Sequence, residues 1–394
     1  MKKLLLASAA IGLCAGASYA DEIKMGVLLG FTGPLESLAP AMAQGAEMAI
    51  KEVSDSGKLL DGDTVTPVRG DSTCVDAAAA TAAAETLVTS DGVKGIMGAM
   101  CSGATTAVLQ NVAMPNGIVM ISPSATSPAL SDMEDDGLFF RTAPSDARQG
   151  EVMADEIMEK GLSSVAVTYT NNDYGKGLAD SFQKAFEAQG GTVTISTAHE
   201  DGKGDYSAEV GSLASAGGDA LAVVGYVDQG GSGVLRGALD TGAFETFIFP
   251  DGMVSQTLED NFGSEIEGSF GQLPDSEGQG METYLSMAES AGYDGSSAYS
   301  GAAYDGAALM LLAMQAAGSS DPKVYKDKIT EIANGPGEKI YPGELAKALE
   351  LIAAGTAIDY EGATAVNMIG NGEAAGTFRE IEIKDGKIET VKYR

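Results

Sequence analysis

The feature that most constrains this chain is an alternation that runs twice. Apolar runs of strand length take turns with amphipathic or alanine-rich runs of helix length. In the first pass Ile23–Leu29, Thr64–Arg69, Val93–Met100 and Gly117–Ile121 read as strands. Pro40–Ser54, Ala77–Thr89 and Ala104–Val112 read as the helices between them. Parallel neighbours need a crossover long enough to bring the chain back to the same edge, so this succession predicts a parallel, doubly wound sheet. Phe139–Pro144 reads as a strand leaving that unit, and the alternation then restarts. Strands over Ser164–Tyr169, Thr192–Ala198, Ala220–Gly225 and Thr246–Phe249 are separated by helices over Gly177–Gln189, Tyr206–Ser215 and Gly233–Leu239, with Asp146–Lys160 as a lead-in helix. The expected fold class is α/β: two doubly wound parallel-sheet lobes, as 394 residues also suggest.

The remainder assigns itself less directly. Helical runs at Met281–Ser290, Ser300–Ala317, Pro322–Asn334 and Glu344–Ala354 have no strand partners near them in sequence and are expected to return to the first lobe. The segment TFREIEIK, the pair Asp385-Gly386 and KIETVKYR predict a β-hairpin, because polar and apolar residues alternate on both sides of a DG turn. Gly-rich loops at 268–278 and 355–377 are expected to be the second and third passages between lobes, giving a three-crossing hinge. The expected division is residues 21–143 and 276–358 in lobe 1, and 144–275 and 359–394 in lobe 2.

Residues 1–20 read as a secretory signal peptide. Lys2 and Lys3 precede a small-residue apolar core, and Ser18-Tyr19-Ala20 is an A-x-A-like site, so cleavage is expected after Ala20. An exported chain that reaches the periplasm is the consequence. The net charge of −32 argues against nucleic acid as a partner, since phosphate contacts need Lys and Arg. Removing the two leader lysines deepens that charge. Cys14 leaves with the leader, and the pair Cys74 and Cys101 reads as a disulfide in an oxidising compartment, with two buried free thiols as the alternative. One histidine and two cysteines make no metal cluster, so no metal and no cofactor are expected.

Signatures of catalysis are missing from the sequence. It has no G-x-S-x-G elbow, no Walker A run and no H-E-x-x-H. Gly230-Gly231-Ser232-Gly233 lacks the Lys of a phosphate loop and reads as a turn with a helix N-cap. His199 reads as a surface residue at a strand end.

Binding residues are easier to find. The stretch 101–126 holds two hydroxyl-rich loops at the C-terminal ends of neighbouring strands, the edge where open α/β sheets take ligands. Ser102 is placed at a helix N-cap, and Ser124, Ala125 and Thr126 follow the next strand. Free N–H groups and short hydroxyls there suit a carboxylate. The second lobe offers Tyr174, Tyr226 and Asp251 at its own strand ends. Hydroxyls on one side, with a carboxylate and aromatic rings on the other, would suit a zwitterion. Its carboxylate would face Ser102 and Thr126, and its ammonium Asp251. Ordinary turn and packing roles are the plain alternative for each residue taken singly.

GFTGP, the two cysteines, CSGATT, ISPSATSPAL, NDYGKGLA, GYVDQG and FPDG together resemble the type I substrate-binding proteins of ABC transporters, in the leucine/isoleucine/valine-binding branch. The resemblance covers nearly the whole mature chain. It implies the type I periplasmic binding protein fold, a Cys74–Cys101 disulfide, a monomer with no enzymatic activity, and an inner-membrane permease as partner. It also implies that Ser102 and Thr126 hold a ligand carboxylate and that the Ser124 carbonyl and Asp251 hold its ammonium, and Tyr174 and Tyr226 match tyrosines of the family, whose faces would cover an apolar side chain. Asp251 stands where the leucine-binding relatives carry a glutamate, and Leu38 where they carry a tryptophan. Both changes bear on specificity. An amide, urea or small aromatic acid is the alternative ligand, and a periplasmic ligand-sensing module the alternative role. Gly335–Asn367 resembles a tail found in some relatives and receives no functional reading.

Overall fold

The computed structural model describes residues 20–394. Nearly all of the expected signal peptide lies outside the described residues. In the first lobe β1 (Glu22–Leu29), β2 (Thr64–Asp71), β3 (Ile96–Gly98), β4 (Met120–Ser122) and β5 (Phe139–Arg141) form one sheet. In the second, β6 (Ser164–Thr170), β7 (Thr192–His199), β8 (Ala220–Val224), β9 (Phe247–Phe249) and β10 (Phe270–Pro274) form another. Late strands complete both. β13 (Met368–Ile369) and β14 (Glu373–Ala374) join the first sheet, and β15 (Phe378–Lys384) and β16 (Lys387–Tyr393) join the second. The strand orders are β13-β14-β5-β4-β3-β1-β2 and β16-β15-β10-β9-β8-β6-β7, so the first five strands of each lobe repeat one order, while the late hairpins join in opposite senses. Pairing is parallel except at the late hairpins and where β15 meets β10.

Burial explains why the strands are apolar on both faces. In β1, Val27 and Leu29 pack into one core while Leu28 packs into another on the opposite side, as the period-2 alternation of a strand requires. The helix Ser300–Ala317 is buried continuously from Ser300 to Met314, because it lies between the first sheet and the helix Ala39–Ser56. That approach is close enough to need Gly45: a Cβ there would sit 2.3 Å from the Ser300 carbonyl oxygen.

Four expectations need correction. The Gly-rich loop 268–278 contains β10, a central strand of the second sheet. Its small residue Gly271 is required, since a Cβ would meet the Phe249 carbonyl oxygen at 1.8 Å, and that glycine disguised the strand. The expected boundary at 358/359 also fails: β13 and β14 belong to the first sheet, so the last passage between lobes follows Ala374. Gly230-Gly231-Ser232-Gly233 is the first turn of a helix, Gly230–Thr241. His199 is buried, with 1% of its surface exposed. Its Nδ1 lies 2.8 Å from Thr168 Oγ1.

The C-terminal hairpin forms around Asp385 and Gly386, both at positive φ (51° and 74°), the backbone of a two-residue primed turn. Cys74 and Cys101 are joined, with Cα atoms 5.1 Å apart. Within residues 335–367, β11 (Glu338–Ile340) and β12 (Ile358–Tyr360) form a separate two-stranded parallel sheet. The buried Asp305 carboxylate anchors this segment, accepting from Tyr360 Oη, the Ala363 and Thr364 amides and Thr364 Oγ1 at 2.6–2.8 Å. No described helix is long and apolar enough to cross a membrane.

Candidate functional site

The two sheets point their C-terminal strand ends at one another, and a small chamber of about 20 Å³ lies between them. The first lobe contributes Leu35, Leu38, Met100, Cys101, Ser102 and Ser124 to its wall, and the second contributes Tyr174, Tyr226, Asp251 and Gly252. Six of the eight residues singled out from the sequence therefore meet there. Ala125 and Thr126 lie behind the wall and are fully buried.

The hydroxyl side is held from beneath. Cys101, rather than Ser102, is the N-cap of the helix Ser102–Val108. Ser102 is its first residue, with an amide that no preceding helical turn can use. Ser102 Oγ accepts from the Ser127 amide at 3.1 Å, which leaves its proton free to donate. Ser124 Oγ instead donates to the Met100 carbonyl at 2.7 Å and is spent on the fold. The loop after β4 is fixed by Arg141, whose buried guanidinium donates to the Ala125 and Ser127 carbonyls at 3.0 and 2.9 Å and pairs with Glu373. Sequence reading passed over Arg141 because its partner comes 232 residues later, on β14.

The acidic side is a network. Asp251 follows β9 and accepts from Gln149 Nε2 at 2.8 Å and Tyr174 Oη at 2.9 Å on Oδ1, and from Tyr299 Oη at 2.7 Å on Oδ2. Gly252 lets the turn come this close, since a Cβ there would lie 2.5 Å from the Gly225 carbonyl oxygen. Burial raises the Asp251 carboxyl above its usual range, and the Tyr299, Gln149 and Tyr174 donors oppose that rise. Tyr174 and Tyr226 stack with ring centroids 5.3 Å apart. Burial and the Asp251 charge hold the Tyr174 phenol well above 10, so it stays a donor.

Two residues of this network were not legible in sequence. Tyr299 sits in the left-handed region (φ 63°) just before the buried helix Ser300–Ala317, and so reaches Asp251 from the first lobe. Asp146, at the start of the helix Asp146–Glu159, is fully buried. Burial first, and the Asp251 charge second, push its carboxyl well above the usual range, while the Thr126 hydroxyl and Arg141 pull the other way. Neither Asp146 oxygen, nor Thr126 Oγ1, nor Gln149 Oε1 makes a hydrogen bond of normal geometry. The one available signal was the position of Asp146 three residues before Gln149, on one helical face.

The lobes touch beyond this network. The Ser37 amide donates to Asp228 Oδ2 at 2.9 Å, the Asp228 amide donates to the Pro34 carbonyl at 3.2 Å, and Thr106 Oγ1 donates to Asp173 at 3.3 Å. A chamber of about 20 Å³ has room for roughly one water.

Comparison with known proteins agrees with this geometry. A family model described as periplasmic binding protein matches residues 22–335. A Leu/Ile/Val-binding protein homolog of Brucella melitensis is 32% identical over 341 residues, which is 83% of this chain and 89% of that protein. The Leu/Ile/Val/Thr-binding protein of Salmonella typhimurium is 31% identical over 252 residues, 64% and 67% of the two chains. Among solved structures, the leucine-binding protein LivK of Thermotoga maritima superposes with a TM-score of 0.79 at 22% identity, covering 94% of this chain and 98% of that one. A Rhodopseudomonas palustris solute-binding protein in complex with p-hydroxybenzoic acid gives 0.75 at 20% identity, covering 95% and 97%. The two-lobed fold, the opposed strand ends and the sequence match lead to one conclusion: this chain belongs to the periplasmic binding protein family.

Proposed function

We propose that the chain is the periplasmic receptor of an ABC importer, which captures an α-amino acid with an apolar side chain between two closing lobes and presents it to an inner-membrane permease. The observation that carries this reading is the opposition, across one chamber, of the Ser102 hydroxyl and helix start to the Asp251 carboxylate with its tyrosines. Ser102, with Thr126 behind it, takes the carboxylate. Asp251 and the Ser124 carbonyl take the ammonium. Leu38, Tyr174 and Tyr226 cover the side chain.

Magnitudes support it. Micromolar binding needs roughly −8 kcal/mol. Desolvated charge-assisted contacts supply about 1.5–3 kcal/mol each, and an aliphatic side chain adds about 1.5–3 kcal/mol, before ordering costs. A ligand with a carboxylate but no ammonium would bring a second negative charge into the chamber that Asp251 lines, with no cation between them, which disfavours a small aromatic acid. The named relatives are Leu/Ile/Val-binding proteins, which supports an apolar amino acid. We assign the chain no catalytic role and place it in the periplasm as a monomer. A thermal-shift screen of the refolded, ligand-free protein against the standard amino acids, urea, small amides and aromatic acids tests the assignment. A rise in Tm with an apolar amino acid supports it, and a rise only with an amide or aromatic acid overturns it.

A further inference from the structure

A second cavity lies at the hinge, and at about 120 Å³ it is several times larger than the interlobe chamber. All three passages between the lobes line it: Thr142-Ala143-Pro144, Pro274-Asp275 and Gly376-Thr377. Two of these are tied together, the Asp275 amide donating to the Thr377 carbonyl at 3.1 Å. Its remaining walls set an apolar patch of Leu273, Met281, Leu285 and Ala302 beside polar groups from Ser296, Ser297, Thr364 and Tyr393. Tyr299 lines this cavity and the interlobe chamber alike.

We propose that this hinge cavity is a second ligand site, for a small uncharged molecule with an apolar body about the size of one aromatic ring, and that its occupant favours the closed lobes. The size follows from the volume, since a dry cavity of about 150 Å³ takes benzene. The charge state follows from the lining. Among the described residues Asp275 and Arg379 are its charged ones, and they form an ion pair at 2.8 Å. An ionic occupant would find no free counter-charge. The preference for closure follows from the walls. Lobe opening turns the three crossing segments against one another, so a molecule fitted to this arrangement selects it. The occupant would also pack behind Tyr299, whose hydroxyl holds Asp251. The site itself goes beyond the proposed amino-acid site, while its coupling to ligand affinity rests on that reading.

Phenol is the probe and benzoate its charged counterpart. With the full mature protein and no amino acid present, phenol is expected to move the Met281 methyl NMR resonance upfield in a saturable way, and benzoate is not. Leu285→Phe fills the cavity and should abolish the phenol response. Saturating phenol should then tighten leucine binding at least threefold in the wild type and not in Leu285→Phe. No saturable shift at Met281, an equal shift with benzoate, or an unchanged response in Leu285→Phe overturns the site. A Met281 shift with unchanged leucine affinity overturns the coupling. The Met281 measurement needs no variant and no amino acid, so failure of leucine to bind would be read separately.

Discussion

The Tyr299 hydroxyl donates a 2.7 Å hydrogen bond to Asp251 Oδ2. It joins the start of a buried first-lobe helix to a strand end of the second lobe, so the residue expected to meet the ligand ammonium is also a tie between lobes. On the proposed function, parting of the lobes would have to break this bond.

Asp251→Ala should therefore lower affinity for the bound amino acid by roughly tenfold to a hundredfold, the loss of a charge-assisted contact of about 1.5–3 kcal/mol. Calorimetry on the refolded variant measures this. Affinity within twofold of wild type would remove Asp251 from the ammonium site.

Tyr299→Phe keeps the ring and deletes the bond to Asp251. Its effect should be smaller than that of Asp251→Ala, about three- to tenfold, because Gln149 and Tyr174 still hold the carboxylate. A loss as large as that of Asp251→Ala would mean that Tyr299 touches the ligand itself.

The single histidine gives a clean probe of the second lobe. Burial pushes the His199 imidazole down to about 4. Its folded value lies below the unfolded one, so the stability it contributes is present above about pH 6.5 and is lost as pH falls toward 4. Proton NMR of the imidazole should show no titration near pH 6.5. A midpoint at 6.5 would place His199 on the surface, as its sequence setting suggested.

Glu156 has the opposite sign. It is buried on the helix Asp146–Glu159, and burial, with Glu380 adding to it, raises its carboxyl to about 9. The folded form then holds a proton that the unfolded form releases. Stability from this group is complete below about pH 4.5 and is lost as pH rises through 9. Glu156→Gln should melt a few degrees above wild type near pH 9 and equal it near pH 4. Equal melting at both pH values would count against the buried, protonated acid.

Much of this was legible in the sequence, for physical reasons. The doubly wound lobes show because fully buried parallel strands are apolar runs and their crossovers are long. Ser102, Ser124, Tyr174, Tyr226 and Asp251 could be singled out because the sheet topology itself places strand ends at the chamber they line. β10 was missed because Gly271, required where the Phe249 backbone crowds in, and Gln272 interrupt its apolar pattern. Tyr299, Asp146 and Arg141 were missed because their meaning lies in partners far along the chain, which no local pattern records.

The most direct test of the account is calorimetry on the refolded, ligand-free protein with leucine and with N-acetyl-leucine, which has the same carboxylate and side chain but no ammonium. The account predicts micromolar binding of leucine or a similar apolar amino acid and a loss of at least a hundredfold on acetylation. Equal affinity for the two, or binding of 4-hydroxybenzoate with none of any amino acid, would contradict it.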